Sequence, residues 1–142
     1  MINDVDLLRD ICENAEMGRD GIMHILKQTE DSNLSQVLTR QLSEYQKTYD
    51  TADKMLHERN QEPTSANPMA KMMSYVSSSA KTMMDNSASK IAELMIQGST
   101  MGITNMTKSL HDYDDSDQDV KKLAEKHIKT EQANVDEMKK FL

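Results

Sequence analysis

Residues 117–141 read DQDVKKLAEKHIKTEQANVDEMKKF, and the spacing of their apolar residues decides the fold class. The apolar members recur every three or four residues, as they do on one face of an α-helix. They are Val120, Leu123, Ala124, Ile128, Val135, Met138 and Phe141. Ser116 and Asp119 resemble a capping box that would begin this helix. The stretch therefore predicts an amphipathic helix over about 117–141.

The same periodicity predicts three further long helices, over about 4–28, 33–60 and 88–111. Asn3 is expected to cap the first of them, because its side chain can accept a hydrogen bond from the first turn. Only a short polar turn at 29–32 separates the first two helices. A turn of that length requires them to run antiparallel.

A much longer connection, over residues 61–86, separates the second and third long helices. Asn67-Pro68 is a strong helix start within it and predicts a crossover helix over about 68–84. A connection of this length lets the second and third long helices run in the same direction. We therefore predict one domain, residues 1–142, of two antiparallel hairpins joined by a helical crossover. In an alternative arrangement, the crossover and the third long helix form one rod.

The composition favours an all-α fold and excludes several classes of protein. The chain of 142 residues has no Trp, 4 Gly and 2 Pro, which are too few turn formers for an all-β fold. A net charge of −7 without a basic stripe argues against nucleic-acid binding. Cys12 is the single cysteine, so an intrachain disulfide is impossible. No apolar run of about 18 residues and no signal-peptide core is present, so we expect a cytoplasmic protein without membrane contact.

The third long helix is apolar on most of its circumference, which predicts burial on more than one side. One stripe contains Gly98-x-x-x-Gly102, where small residues allow another backbone to approach. A second stripe contains Ile96, Ile103 and Leu110, spaced by seven residues. The crossover helix or another subunit would cover this second stripe. We predict a homodimer through this helix.

Four polar side chains fall on helix stripes that are otherwise apolar: Arg19, Gln41, His127 and Glu131. Burying such groups without partners costs about 1–3 kcal/mol each. The favoured interpretation is a buried polar cluster in which Arg19 pairs with Glu131 across the bundle. In the alternative, His127 and Glu131, four residues apart, present an imidazole and a carboxylate to a divalent metal ion.

The chain resembles the ferritin-like superfamily in its two-hairpin arrangement and in two segments, QGSTMGI at 97–103 and TEQAN at 130–134. The resemblance covers nearly the whole chain and is closest to small bacterial branches, some of them related to spore coat proteins. It implies a four-helix bundle. Metal-binding members carry a Glu on each of two helices and Glu-x-x-His on each of the other two.

Carried onto this chain, that metal-binding pattern is degenerate. Glu-x-x-His occurs nowhere in the sequence; the last helix offers Glu131-x-x-Asn134 and the second Glu44-x-x-Lys47. The resemblance therefore implies a reduced set of candidate ligands for iron or manganese: His127, Glu131, Glu44, Glu16 and Glu93.

Motifs for other chemistry are missing from the sequence. It has no glycine-rich phosphate loop, no Ser-His-Asp spacing and no Cys-x-x-Cys. We therefore expect a non-catalytic ferritin-like bundle with a structural or interaction role and no cofactor. The alternative is an iron- or manganese-binding protein with redox or metal-storage activity. A third hypothesis places a small-molecule pocket at the bundle centre, near Tyr45 and Tyr49.

Overall fold

The computed structural model describes residues 1–63 and 85–142, and this part of the chain is all-α. It contains four helices: α1 (Asp4–Leu26), α2 (Ser32–Glu58), α3 (Ala88–Asp112) and α4 (Gln118–Lys139). An isolated parallel β-bridge joins Ile2 to Tyr113. The predicted all-α class is confirmed for these residues. The predicted crossover helix over 68–84 lies outside them.

Side-chain caps set the starts of the helices. At α1, the Asn3 side chain accepts from the backbone N–H of Asp6 at 2.9 Å, and the Asp6 carboxylate accepts from the backbone of Asn3 at 3.2 Å. This is a complete capping box. Asp31 caps α2 and Ser87 caps α3 with their side-chain oxygens. Residues 85–87 are not helical, so α3 does not continue back through them.

The capping box predicted at Ser116 and Asp119 is wrong. The N-cap of α4 is Asp117, whose carboxylate accepts from the backbone N–H groups of Asp119 at 2.8 Å and Val120 at 3.4 Å. The Ser116 hydroxyl donates instead to Asp4 at 2.7 Å. The same hydroxyl also lies 2.6 Å from the Asp114 carboxylate, so Ser116 binds carboxylates of its own loop and of α1 and does not cap α4.

Two apolar clusters form the core, one towards each end of the four helices. The first core cluster combines the N-terminal halves of α1 and α4 with the C-terminal halves of α2 and α3: Leu7, Leu8, Ile11, Cys12, Ala52, Leu56, Met106, Tyr113, Val120 and Ala124. The second core cluster combines the opposite halves: Ile22, Ile25, Leu34, Leu38, Tyr45, Ile91, Ala92 and Met138. Along α1, α3 and α4, buried polar residues lie between the two clusters.

The first apolar stripe predicted on the third long helix is buried only in part. Ile91 and Gly102 are buried, but Met101 is 44% exposed and Asn105 is also exposed. The neighbouring described helices therefore cover only part of this stripe. Helical periodicity indicates which residues share a face, but the neighbouring helices decide how much of that face is covered.

The four helices are amphipathic rather than apolar throughout. Their exposed faces carry charged residues, among them Lys126 and Lys129 on α4. Within the two ranges that the structure covers, none of the helices combines the length and apolar character that a bilayer-spanning segment needs.

Candidate functional site

A layer of buried polar side chains separates the two core clusters and is the candidate site. We call it the polar layer. It consists of Asn14 from α1, Tyr45 from α2, Ser99 from α3, and His127, Glu131 and Asn134 from α4. All six side chains are buried, and His127 and Glu131 are only 1% and 2% exposed. All four helices therefore contribute to one polar level in an otherwise apolar interior.

The Asn14 amide holds the imidazole of His127. Nδ2 of Asn14 donates to the backbone carbonyl of Gly102 at 3.3 Å, so Oδ1 of Asn14 is the atom that faces His127. Nε2 of His127 lies 2.7 Å from this oxygen. Because an amide oxygen only accepts, Nε2 carries the proton and Nδ1 of the neutral ring carries a lone pair. No described residue gives Nδ1 a hydrogen bond.

Glu131 lies one helical turn after His127. Its Oε1 is 3.6 Å from Nε2 of His127. Burial raises the pKa of Glu131 to about 7, and hydrogen bonds from the hydroxyl groups of Tyr45 and Ser99 oppose part of that shift. Oε2 has no hydrogen-bond partner among residues 1–63 and 85–142, and no Arg or Lys there pairs with the carboxyl.

Burial acts on His127 in the opposite direction. It lowers the pKa of His127 to about 4, because an imidazolium would lose its hydration in the interior. The pKa of the Tyr45 phenol is raised well above its usual value, also mainly by burial. Between about pH 4 and pH 7 the layer therefore holds a neutral imidazole, a neutral phenol and a protonated carboxyl. Such a set donates and accepts hydrogen bonds without carrying charge.

Two glycines make room for the layer. A Cβ atom on Gly18 would lie 2.7–3.0 Å from three atoms of the Tyr45 ring. One on Gly102 would lie 3.0 Å from Oδ1 of Asn14. The Tyr45 ring in turn packs edge-on against His127, with 6.0 Å between the ring centroids. The sequence placed Gly102 in a motif for close contact between helices. In the structure this glycine makes room for the Asn14 side chain inside the bundle.

The predicted contact between Arg19 and Glu131 is wrong. Arg19 binds residues at the α1–α2 edge: Nε lies 3.1 Å from Asp20, and Nη1 donates to the Gln46 side chain at 3.1 Å. Its guanidinium also lies 5.2 Å from the centre of the Tyr49 ring. A long Arg side chain can leave an apolar stripe and keep its charge partly hydrated, which avoids the desolvation cost of an interior ion pair.

Gln41, the fourth residue of the predicted polar cluster, is 2% exposed but binds elsewhere. Its Nε2 donates to Oε1 of Glu137 at 3.1 Å, and Arg40 forms an ion pair with the other carboxylate oxygen. The structure therefore brings together only His127 and Glu131 of the four predicted cluster residues.

The five candidate metal ligands do not converge. Three of the carboxylates lie on the helix exteriors and pair with cations of their own helices: Glu16 with Arg19 at 3.5 Å, Glu44 with Lys47 at 3.9 Å and Glu93 with Lys90 at 3.5 Å. In the described ranges, no three His, Cys, Asp or Glu side chains come together as a metal ion would require. The donor set beside His127 and Glu131 consists of amides and hydroxyls, which does not fit a dinuclear carboxylate centre.

Three members of the layer were not predicted as site residues, although the sequence carried a signal for each. Asn14 lies between Ile11 and Ala15 of the α1 stripe, and Asn134 lies one turn after Glu131. Ser99 lies on an apolar stripe of α3. Each is a polar residue at a core position, which is the same signal that identified His127.

A shallow pocket of about 90 Å³ between α1 and α3 reaches the layer from outside. Asn14 and Met106 form part of its lining, together with Asp10 and Ser109. Asn14 thus contacts both this pocket and His127. The Ser109 hydroxyl donates to Asp10 at 2.9 Å, and burial raises the pKa of that carboxyl.

No protein-family model, curated protein or solved structure matches the chain. The resemblance to the ferritin-like superfamily therefore stays a prediction.

Proposed function

We propose that this protein is a non-catalytic, ferritin-like four-helix bundle of the cytoplasm with a structural or interaction role. In this proposal two antiparallel hairpins are joined by a crossover, and the centre is a degenerate metal site. The observation that carries the proposal is the chemistry of the polar layer. Around His127 and Glu131 it supplies amides and hydroxyls, where metal-binding relatives would supply carboxylates.

The positions of the acidic side chains support this proposal. Iron and manganese are held best by several carboxylate or imidazole ligands. Glu16, Glu44 and Glu93 pair at the helix exteriors with cations. Among the described residues, Glu131 is the carboxyl buried beside His127, and burial without a cation keeps it protonated up to about pH 7. A protonated carboxyl is a poor metal ligand.

The burial of the layer supports a non-catalytic role. His127 and Glu131 are 1% and 2% exposed, so the described helices shield both side chains from solvent. A substrate at the surface of residues 1–63 and 85–142 would therefore not contact these side chains. Asn14 is the layer residue that lines the pocket between α1 and α3, and an amide is neither a base nor a nucleophile at neutral pH.

Metal quantification tests the proposal. Protein purified without chelators should contain less than about a tenth of an equivalent of iron, manganese or zinc by elemental analysis, because one carboxyl and one imidazole give a weak site. About one equivalent or more, lost in the His127→Gln variant and kept in Glu93→Gln, would contradict it. Glu93→Gln is the matched control because it removes an exposed carboxylate.

One observation favours the alternative, an iron- or manganese-binding protein with redox or storage activity. Nδ1 of His127 and Oε2 of Glu131 are both buried, and both lack a hydrogen bond from any described residue. Each of these atoms therefore has a lone pair that no described residue uses. If the alternative is right, added Mn²⁺ or Fe²⁺ should raise the thermal unfolding midpoint with increasing metal concentration. That increase should vanish in His127→Gln and persist in Glu93→Gln.

We also propose that the bundle is a homodimer through α3. Met101 is 44% exposed, while Ile96 and Ile103 are half-buried on the same helix. Light scattering coupled to size-exclusion chromatography should give about twice the chain mass, and Met101→Lys should shift it towards the monomer. A monomer at tens of micromolar would contradict the dimer without affecting the other proposals.

A further inference from the structure

The hydrogen bonds of the polar layer cross from one helix pair to the other. His127 on α4 contacts Asn14 on α1, and Asn14 donates to the Gly102 carbonyl on α3. Asn134 on α4 donates to the Tyr45 hydroxyl on α2 at 3.4 Å. Each of these contacts therefore depends on how the first helix pair (α1 and α2) is placed against the second (α3 and α4).

The apolar contacts between the two helix pairs are far less specific for one placement of the pairs. The two core clusters consist largely of Leu, Ile, Ala and Met side chains. Such side chains can repack after a shift of one helix pair, because burial of apolar area has no directional requirement. By themselves the two clusters would permit more than one placement.

The polar layer would not tolerate that shift. A slide by one helical turn, about 5.4 Å, would separate His127 from Asn14 and Asn134 from Tyr45. Their polar atoms would then be buried without partners, which is unfavourable. The missing side chains of two glycines add a steric requirement. The Tyr45 ring packs against Gly18, and the Asn14 side chain packs against Gly102.

We propose that the polar layer is a register-setting device that selects one placement of the two helix pairs at some cost in stability. It rests on the proposed function in one respect, namely that the layer holds hydrogen bonds rather than a metal ion. Buried polar groups have this role in some helical assemblies, where a single polar core residue decides the register. Here the device is distributed over all four helices.

The test first replaces three of the six layer side chains by apolar ones of similar size, in the triple variant Asn14→Leu, His127→Leu and Glu131→Met. Spin labels at Thr51→Cys on α2 and Lys126→Cys on α4 report the placement, in a Cys12→Ala background. Both label sites are exposed. The matched control makes three conservative changes within the core clusters, at Leu8→Met, Leu38→Met and Leu56→Met.

With the native layer and in the control, the distance distribution between the labels should have one peak. In the triple variant it should gain a second peak displaced by about 5 Å, or become roughly twice as wide, while the helical circular dichroism is retained. One unshifted, narrow peak in the triple variant, which persists when Tyr45→Leu and Asn134→Leu are added to remove the remaining layer contacts, would overturn the proposal. Loss of the helical signal would also overturn it, since the layer would then be needed for folding itself. Metal content measured on the unsubstituted samples shows separately whether the proposed function has failed.

Discussion

The polar layer and the end of the bundle where α3 joins α4 both place a carboxyl group beside hydrogen-bond donors. The pKa of the carboxyl is raised in the polar layer and lowered at the end of the bundle. We call the second region the end clasp; it consists of Asp4, Arg59, Tyr113, Ser116 and Asp117. Asp4 accepts hydrogen bonds from Tyr113 at 2.5 Å and Ser116 at 2.7 Å. These two bonds, with the charge of Arg59, hold the pKa of Asp4 below its usual value.

The difference between the regions comes from desolvation and from the presence of a cation. The Asp4 side chain is 26% exposed and lies 3.8 Å from Arg59, which also binds Asp117 at 2.7 Å. Glu131 is buried, and among the described residues it has no cation beside it. Hydrogen bonds from hydroxyls favour the ionised form in both places, but in the polar layer burial outweighs them. Acidic composition alone therefore does not tell how a carboxyl behaves.

The largest expected effect separates the two titrating groups of the polar layer. In His127→Gln only Glu131 titrates there, with a folded pKa of about 7 against a usual 4.5. The folded state then binds the proton more tightly. The contribution of Glu131 to stability is greatest below pH 4.5 and falls by about 3 kcal/mol as the pH rises to 7. In Glu131→Gln only His127 titrates in the layer, with a folded pKa of about 4 against a usual 6.5. The contribution of His127 to stability therefore decreases by about 3 kcal/mol as the pH falls from 6.5 to 4.

In the unsubstituted protein these two dependences should cancel between pH 4.5 and 6.5. The folded chain holds one proton on Glu131, and the unfolded chain holds one on His127, so neither state binds more protons. Urea unfolding at pH 4.5, 5.5 and 6.5 measures this for all three proteins. Opposite slopes in the two variants are the diagnostic result. Parallel slopes would mean that Glu131 does not keep its proton in the folded state.

A smaller effect is expected from Gly18→Ala, which tests how tightly the layer is packed. The added methyl would meet the buried Tyr45 ring at 2.7–3.0 Å, and overpacking of this kind costs about 1–3 kcal/mol. The better helix propensity of Ala returns up to about 1 kcal/mol. Chemical denaturation should therefore show a net loss of stability. In a Tyr45→Leu background the same change should become neutral or stabilising; an unchanged cost there would show that the Tyr45 ring is not the obstacle.

Asp4→Asn at the end clasp should cost about 1 kcal/mol at pH 7, because the carboxylate is partly hydrated and its ionic contact is screened. The folded pKa of Asp4 lies below 3.8, so its stabilisation is present at neutral pH and is lost as the pH falls through that folded value. The difference between variant and parent should thus shrink towards pH 2. A cost that persists in acid would indicate that shape, rather than charge, holds the end clasp together.

The smallest effect is expected from Glu93→Gln, an exposed carboxylate outside both regions. Its side chain is 50% exposed and lies 3.5 Å from Lys90. Pairs of this kind contribute about 0.5 kcal/mol or less. The unfolding free energy should therefore change within the error of the measurement at low salt and at high salt. A larger loss would assign Glu93 a partner that its helix does not supply.

The local features of the fold could be predicted from the sequence with elementary rules. Apolar spacing predicted the all-α class, and the side chain of Asn3 predicted the cap of α1. The rule failed at Ser116, whose hydroxyl binds Asp4, 112 residues away in the chain. Local patterns cannot register a contact of that range.

The site was predictable in its residue types but not in its partners. Polar residues on apolar stripes correctly marked a buried centre at His127 and Glu131, whereas the partner assigned to them, Arg19, lies at the α1–α2 edge. Periodicity defines the direction of a side chain about its helix axis. It does not define where the end of a long side chain lies, nor which helix faces it.

The sequence by itself determined the four long helices, the cap of α1 and the presence of polar groups in the core, because each depends on residues within one or two turns. Only the tertiary structure decided that Asn14, rather than an arginine, holds His127, and that Glu131 is left without a cation. The physical reason is that solvation and pairing depend on the distances between atoms of different helices. Those distances are set by the packing of the whole bundle, down to the absence of a side chain on Gly18 and Gly102.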